Sequence, residues 1–318
     1  MLTKLIIRNF KRLDNVEIEL GNPVVFIGPN NSGKTSALQA LALWDVGLKR
    51  WSEKRKGGKT QEKRTGVTIN RRDLVTIPIP HAILLWNDRR VKNVHRDKES
   101  GKTLRTDNIY VDITVEGVIG DKVWKCGLEF YYDNQESFYC RPIRLSEGEK
   151  PERIPIPDEI EKIQLAYLPP MSGLVANETR LDIGAINVRI GEGRTAEVLR
   201  NLCCRINERD PELWKKFKDQ INLLFRVKLD EPKYIAERGE IEMSYSERDI
   251  HFDISSSGRG LQQTLLLLAY MYSNPGAVLL LDEPDAHLEV LRQREIYQLL
   301  SDVAQENNNQ IIASSHSE

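Results

Sequence analysis

Cysteine and histidine are scarce in this chain of 318 residues, which has four of the first (Cys126, Cys140, Cys203, Cys204) and five of the second (His81, His95, His251, His287, His316). No CxxC pair and no zinc-like spacing occurs among them, so neither a metal cluster nor a disulfide framework is expected. The cysteines are expected to be buried small hydrophobes, with Cys203 and Cys204 in a helical core. Long apolar runs are also missing. Residues 265–272 and 277–281 are the longest, less than half of the roughly 20 residues a membrane-spanning helix needs. Met1 leads straight into the alternating Leu2-Thr3-Lys4-Leu5-Ile6-Ile7, with no signal core and no small-residue cleavage site. A cytoplasmic protein without a membrane partner is the expectation. No internal repeat is found, and no heptad run exceeds a few turns, which excludes a long coiled-coil arm.

With 40% hydrophobic and 29% charged side chains, the chain has enough apolar surface for one large domain or two ordinary ones. Its net charge of −1 conceals an imbalance: residues 1–110 carry 22 Lys and Arg against 11 Asp and Glu. Much of the positive charge lies in two polar, Gly-bearing stretches, residues 49–64 and 89–105. They read either as solvated loops or as an electrostatic footprint for a nucleic-acid backbone, with Trp51 or Trp86 placed to stack on a base.

The order of patterns is that of an α/β fold. Strands are expected at residues 2–8, 16–20 and 24–27, then a Gly-rich loop, then a helix from Lys34 to about Leu43. From residue 65 to about 144, β-branched and aromatic alternation predicts an antiparallel sheet lobe. A proline-bearing linker precedes another strand at 163–168, ending at Pro169-Pro170. Helices follow, one opening near Thr195 and one with Asp210 as N-cap, Pro211 in its first turn and its end at Phe225.

Gly28-Pro29-Asn30-Asn31-Ser32-Gly33-Lys34-Thr35 fits G-x-x-x-x-G-K-[ST] after a buried strand and at the start of a helix. Glycines let backbone amides approach phosphates, the helix N-terminus adds positive potential, Lys34 neutralises the β- and γ-phosphates, and the Thr35 hydroxyl binds Mg²⁺. Gly28, Asn30, Asn31, Ser32, Gly33, Lys34, Thr35 and Ser36 are thus candidates for binding ATP. Far downstream, Val278-Leu279-Leu280-Leu281-Asp282-Glu283-Pro284 is an apolar strand ending on two carboxylates. Alternation should point them apart, leaving Asp282 to hold Mg²⁺ and Glu283 to polarise the attacking water. Between these motifs, Ser255-Ser256-Ser257-Gly258-Arg259-Gly260-Leu261-Gln262-Gln263 precedes a helix. It reads either as a Ser-rich cap or as a second anion site. Last comes Gln310-Ile311-Ile312-Ala313-Ser314-Ser315-His316, a strand that delivers a histidine.

Taken in order, these elements resemble the ATPase heads of the RecF-like and SMC-like ABC ATPases, and most closely the OLD (overcoming lysogenization defect) family. The residues that carry the likeness are Ile7-Arg8-Asn9-Phe10-Lys11, the GPNNSGKT loop, SSGRGLQQ, LLLDEPDAHLE and IIASSHS. The resemblance implies an ABC-type P-loop head with a mixed central sheet, an inserted antiparallel β lobe and a helical lobe. Residues 1–47 would be the phosphate-loop part, 48–160 the β-rich insertion, 161–235 the helical lobe and 236–318 the remainder. It also implies roles by position: Lys34 with ATP, Thr35 and Asp282 with Mg²⁺, and Glu283 as catalytic base. Ser257, Gly258, Gly260 and Gln262 would form the signature, Asp285 the D-loop, and His316 the switch beside the γ-phosphate. An ATP-dependent homodimer that controls a nucleic-acid-processing or anti-phage effector is the implied assembly, the effector being a Toprim-type nuclease either fused in further chain beyond Glu318 or carried on a separate polypeptide. One element departs from the pattern. Where a Q-loop glutamine belongs, after the strand ending at Pro169-Pro170, only Gln164 lies nearby. A transporter's nucleotide-binding subunit and a slow regulatory ATP switch remain as alternatives.

Overall fold

The computed structural model describes residues 1–318 apart from 56–65, 97–102, 147–151, 172 and 317–318. Along the chain the elements are β1 (Leu2–Phe10), β2 (Leu13–Glu19), β3 (Val24–Ile27), α1 (Lys34–Arg55), β4 (Val67–Asn70), β5 (Lys92–Arg96), β6 (Thr103–Asn108), β7 (Val111–Ile119), β8 (Lys122–Tyr132), β9 (Ser137–Pro142) and β10 (Leu165–Leu168). There follow α2 (Ile183–Gly191), α3 (Leu199–Arg209), α4 (Pro211–Phe225), β11 (Lys228–Leu229), β12 (Lys233–Ile235), β13 (Glu240–Glu242), β14 (Ser244–Glu247), β15 (Ile250–Asp253), α5 (Arg259–Ser273), β16 (Val278–Asp282), α6 (Val290–Glu306) and β17 (Gln310–Ser315). Two compact units result: residues 1–22 with 29–165, and residues 23–28 with 166–318.

In the first unit six strands form an antiparallel sheet in the order β2-β1-β7-β8-β9-β4. Alternation sends Val111, Ile113 and Val115 of β7 and Cys126, Leu128 and Phe130 of β8 to one buried face. Helix α1 packs against that sheet. Its Trp44 Nε1 donates to the Cys126 carbonyl at 3.2 Å, and its ring stacks on Trp124. The helix runs to Arg55, well past the expected end near Leu43. Gly47, which would ordinarily weaken a helix interior, is where α1 comes closest to the sheet: a Cβ there would lie 3.0 Å from Cys140 Sγ, Leu128 and Phe130.

Two expectations about the basic stretches change. Residues 49–55 are helical rather than loop, and Lys49 and Arg50 are already engaged, with Asp45 at 2.6 Å and with Glu53 and Asp73. Residues 92–96 and 103–108 pair as a β5–β6 hairpin. The stretches 56–64 and 97–102 lie outside the described residues. Trp86 is no surface platform: it is buried, donates Nε1 to the Ile109 carbonyl at 2.8 Å and meets Tyr132 and Phe138 edge-on. Short 3-10 turns flank Trp86 on either side, and its backbone bridges antiparallel to Phe10 at the end of β1.

The second unit holds a four-stranded sheet ordered β10-β16-β17-β3, in which β16, β17 and β3 run parallel. Their carboxyl ends therefore emerge on one edge, the place where open α/β sheets bind ligands. Strand β16 is buried at every position, as a near-continuous apolar run should be in a parallel sheet covered on both faces. Helix α5 is buried from Leu261 to Tyr272 and packs with α3, α4 and α6. Helix α4 begins as its sequence implies: Asp210 Oδ1 accepts the Leu213 amide at 3.0 Å and Pro211 occupies the first turn. All four cysteines are buried, with Cys203 and Cys204 on α3. The α/β class stands, with its antiparallel and parallel pairings in separate sheets.

Candidate active site

Strand β3 ends at Ile27, paired with Ser315 of β17, and hands the chain to Gly28. Residues 29–33 then make a tight turn closed by the Ser32 amide donating to the Pro29 carbonyl at 3.2 Å. Asn31 sits at φ +62° and Gly33 at φ +106°. Gly33 meets a backbone need, since a Cβ would be strained at that φ, and a Cβ there would also lie 2.8 Å from Leu13 Cδ2. Helix α1 starts at Lys34, whose Nζ reaches back to donate to the Pro29 carbonyl at 3.0 Å. The ammonium is thereby held over the loop. Thr35, in the first helical turn, is exposed. A glycine-shaped loop, a lysine folded over it and a helix N-terminus make an anion cradle of the kind the sequence predicts.

At the end of β16, Asp282 is only 4% exposed. Its Oδ1 accepts Ser314 Oγ at 2.5 Å from the paired position on β17, and its Oδ2 accepts the Tyr167 hydroxyl at 3.1 Å from β10. Glu283 lies just beyond the strand at φ +53°, with its amide donating to the Ser314 carbonyl at 3.1 Å. The two carboxylates diverge because the backbone turns left-handed at Glu283, where sequence reasoning had relied on strand alternation. Glu283 Oε1 stands 2.5 Å from His316 Nε2. Asp285, the expected D-loop residue, is 5% exposed and accepts Ser315 Oγ at 2.6 Å. Three consecutive residues of one strand end, Ser314, Ser315 and His316, thus hold the three acids 282, 285 and 283.

Among the described residues no group of three or more His, Cys, Asp or Glu gathers as a metal site. A buried carboxylate such as that of Asp282 is a hard oxygen donor of the kind Mg²⁺ takes when substrate phosphates and water complete its shell. Gln164, the only glutamine near the Q-loop position, is exposed just before β10. Tyr167 is the residue of that strand which reaches Asp282, and one polar side chain in Leu165-Ala166-Tyr167-Leu168 was the faint signal for it.

The signature stretch forms a turn at Ile254–Ser256, capped by Asp253, before Gly258 caps α5. Its members divide in two. Ser256 and Gly258 are exposed, and a Cβ at Gly258 would meet nothing within 4 Å. Ser257, by contrast, is 9% exposed and donates Oγ to the Ile254 carbonyl at 2.7 Å. Gln262 Nε2 donates to the Ser257 carbonyl at 2.9 Å and reaches those of Ile254 and Ser255. A Cβ at Gly260 would come 3.3 Å from Leu288. Ser257, Gly260 and Gln262 therefore shape the turn from inside, while Ser256, passed over in the sequence, faces out beside Gly258.

Residues 1–116 match the family model for an AAA ATPase domain, and residues 199–318 match one described as "AAA domain, putative AbiEii toxin, Type IV TA system". No curated protein matches the chain. Among solved structures, an SMC head bound to the C-winged helix domain of ScpA is 12% identical and aligns over 100% of this chain and 90% of its own, with a TM-score of 0.50. The SMC head domain from Thermotoga maritima is 14% identical over 99% and 89%, with a TM-score of 0.45. The recombination mediator RecF with ATP is 13% identical over 100% and 93%, with a TM-score of 0.46. The first likeness shows an SMC-head fold, and the two family matches carry the activity of an ATPase that binds ATP.

Proposed function

We propose that this chain is an ABC-type head of the OLD kind, which pairs around ATP and hydrolyses it to control an effector acting on nucleic acid in anti-phage defence. The observation that carries the proposal is the contact of Glu283 with His316, set beside buried Asp282 on the carboxyl edge of a parallel sheet. A carboxylate that is to take a proton from water needs an orienting neighbour, and Glu283 has one in His316. In this scheme Lys34 and the amides of the 28–36 loop neutralise the phosphates, while Thr35 and Asp282 hold Mg²⁺. Bound Mg²⁺ supplies charge neutralisation on the phosphate oxygens. Glu283 accepts the proton of the attacking water, and His316 orients Glu283 and senses the γ-phosphate.

The second anion-binding helix end, at Ser256 and Gly258, acts on the nucleotide of a second copy, giving a two-fold dimer with two shared sites. Gly258→Arg reads this without disturbing the fold, because the space around that Cα is open. Gly258→Arg and Lys34→Ala should each be inactive, and their mixture should recover part of the turnover through one intact shared site per heterodimer. Mass measured with ATP in a Glu283→Gln background should be that of a dimer. No recovery on mixing together with a monomer mass would refute the shared site. A turnover assay also separates this reading from a slow regulatory switch, for which the parent rate would be near zero.

A further inference from the structure

The helical part of the second unit contains a buried cation that no step above uses. Arg200, in the first turn of α3, is 1% exposed. Burying a guanidinium is costly unless its donors are matched, and here both terminal nitrogens have an acceptor. Nη1 donates to the Val175 carbonyl at 3.0 Å, and Nη2 donates to Asp253 Oδ1 at 2.9 Å. Its backbone is anchored as well. Buried Glu178 accepts the Arg200 amide at 2.9 Å, the Asn201 amide at 2.6 Å and Asn201 Nδ2 at 2.8 Å.

The far end of this chain of bonds is the signature turn. Asp253 Oδ1, besides Arg200, accepts the Ser255 amide at 2.8 Å and Ser255 Oγ at 2.6 Å, while the Asp253 carbonyl accepts Ser256 Oγ at 2.7 Å. The Asp253 carboxylate is therefore the N-cap that sets the turn from Ile254 to Ser256, and that turn sets where Ser256 and Gly258 present themselves. Asp253 itself is about half exposed and stands at the end of the edge strand β15. Without a cation behind it, nothing among its described contacts would fix its carboxylate from the core side. The same two residues line a polar cleft of about 890 Å³ bounded by Asp230, Lys233, Arg238 and His251, so a released Asp253 would have open space to rotate into.

We propose that Arg200 is a positioning residue: through Asp253 it holds the signature turn in the geometry that acts on the nucleotide bound by a second copy of this chain. The inference rests on the shared-site reading given above. A residue that acts across the dimer makes a prediction a merely structural one does not, because its loss can be complemented in trans. Arg200→Met should still bind ATP with its own phosphate loop, yet lose ATP-dependent pairing in the Glu283→Gln background. Its turnover should fall by about 10²-fold, the scale of a displacement of about 1 Å at a reacting centre. Mixed with Lys34→Ala it should regain turnover as Gly258→Arg does, and Arg200→Lys, which keeps the charge behind Asp253, should retain part of the parent rate. Asp253→Asn is a second variant on the exposed end of the link and should repeat the pattern, which keeps the inference testable if Arg200→Met does not fold. Unchanged turnover in a folded Arg200→Met or Asp253→Asn would overturn the proposal. So would inactivity in either that Lys34→Ala cannot rescue while it does rescue Gly258→Arg. Failure of the Gly258→Arg pair as well would bring down the shared-site reading and this inference together.

Discussion

Glu283 and His316 touch at 2.5 Å although 33 residues separate them, because parallel strands β16 and β17 end side by side and the backbone at Glu283 turns left-handed. The contact leaves Asp282 with its own partners, Ser314 and Tyr167. Two adjacent acids are thus held by different neighbours.

Glu283→Gln is expected to retain ATP binding and to lose turnover by roughly 10² to 10⁴, the usual contribution of a general base, whereas Lys34→Ala should lose both. His316→Ala should cost less. If His316 acts through Glu283, adding His316→Ala to Glu283→Gln should slow the reaction little further. Equilibrium ATP binding and steady-state phosphate release on the four proteins check this. Turnover in Glu283→Gln within a factor of two of the parent would remove the assignment.

Gly33→Ala should fail at the phosphate loop rather than in the core. Strain at φ +106° and the 2.8 Å approach to Leu13 cost about 1–3 kcal/mol for a non-glycine residue. If the turn shifts to relieve them, ATP affinity falls by about tenfold for each 1.4 kcal/mol. Calorimetric titration with ATP and a melting curve separate the two effects, and unchanged affinity and Tm would contradict the geometry.

The outer face of the antiparallel sheet carries two acids of opposite behaviour. Glu129, 2% exposed, is ringed by Arg141, Arg144 and Arg153, which outweigh burial and hold its carboxyl below the usual range. Its stabilising contribution is full above the ordinary glutamate range and is lost as pH falls from there through the lowered value of the folded state. Asp112, opposite it on β7, is pushed up to about 6 by burial and by the Glu129 charge, against the pull of Arg8 and Arg144. Its folded form binds the proton more tightly than the unfolded form, so between pH 3.8 and about 6 stability falls as pH rises, and the penalty is complete above that. Asp112→Asn should therefore raise Tm at pH 7.5, by at most about 3 kcal/mol of stability, and change little near pH 4. Glu129→Gln should cost about 3 kcal/mol at neutral pH. Thermal melts of both variants at the two pH values test the signs.

If the basic stretches track a nucleic-acid backbone, binding should weaken steeply with salt, and each lost phosphate contact should reduce the log–log slope by about 0.9 for a duplex. Lys49 and Arg50 already pair with Asp45, Glu53 and Asp73, so Lys49→Ala with Arg50→Ala should change the slope little. Neutralising Lys92, Arg96, Lys102 and Arg105 together should reduce it. Equal slopes in both variants and the parent would return these stretches to solvated surface.

Much of the chemistry was local enough to be fixed by residue order. A glycine that must take positive φ, followed by Lys-Thr at a helix start, is legible because the constraint acts within eight residues. The same holds for the apolar run that ends in Asp282-Glu283 and for the Asp210-Pro211 helix start. Partners that lie far apart in sequence were not legible. No spacing rule ties Tyr167 to Asp282 across 115 residues or Arg200 to Asp253 across 53, because those pairings depend on which strands and helices pack side by side. The same packing buried Trp86, prolonged α1 through Gly47 against the sheet, and turned Ser257 and Asp285 inward. Sequence determined which groups could do the chemistry, since their identity and local backbone are properties of short segments. Tertiary structure decided which of them are held, by what, and facing where, since burial and hydrogen-bond partners are properties of the assembled fold.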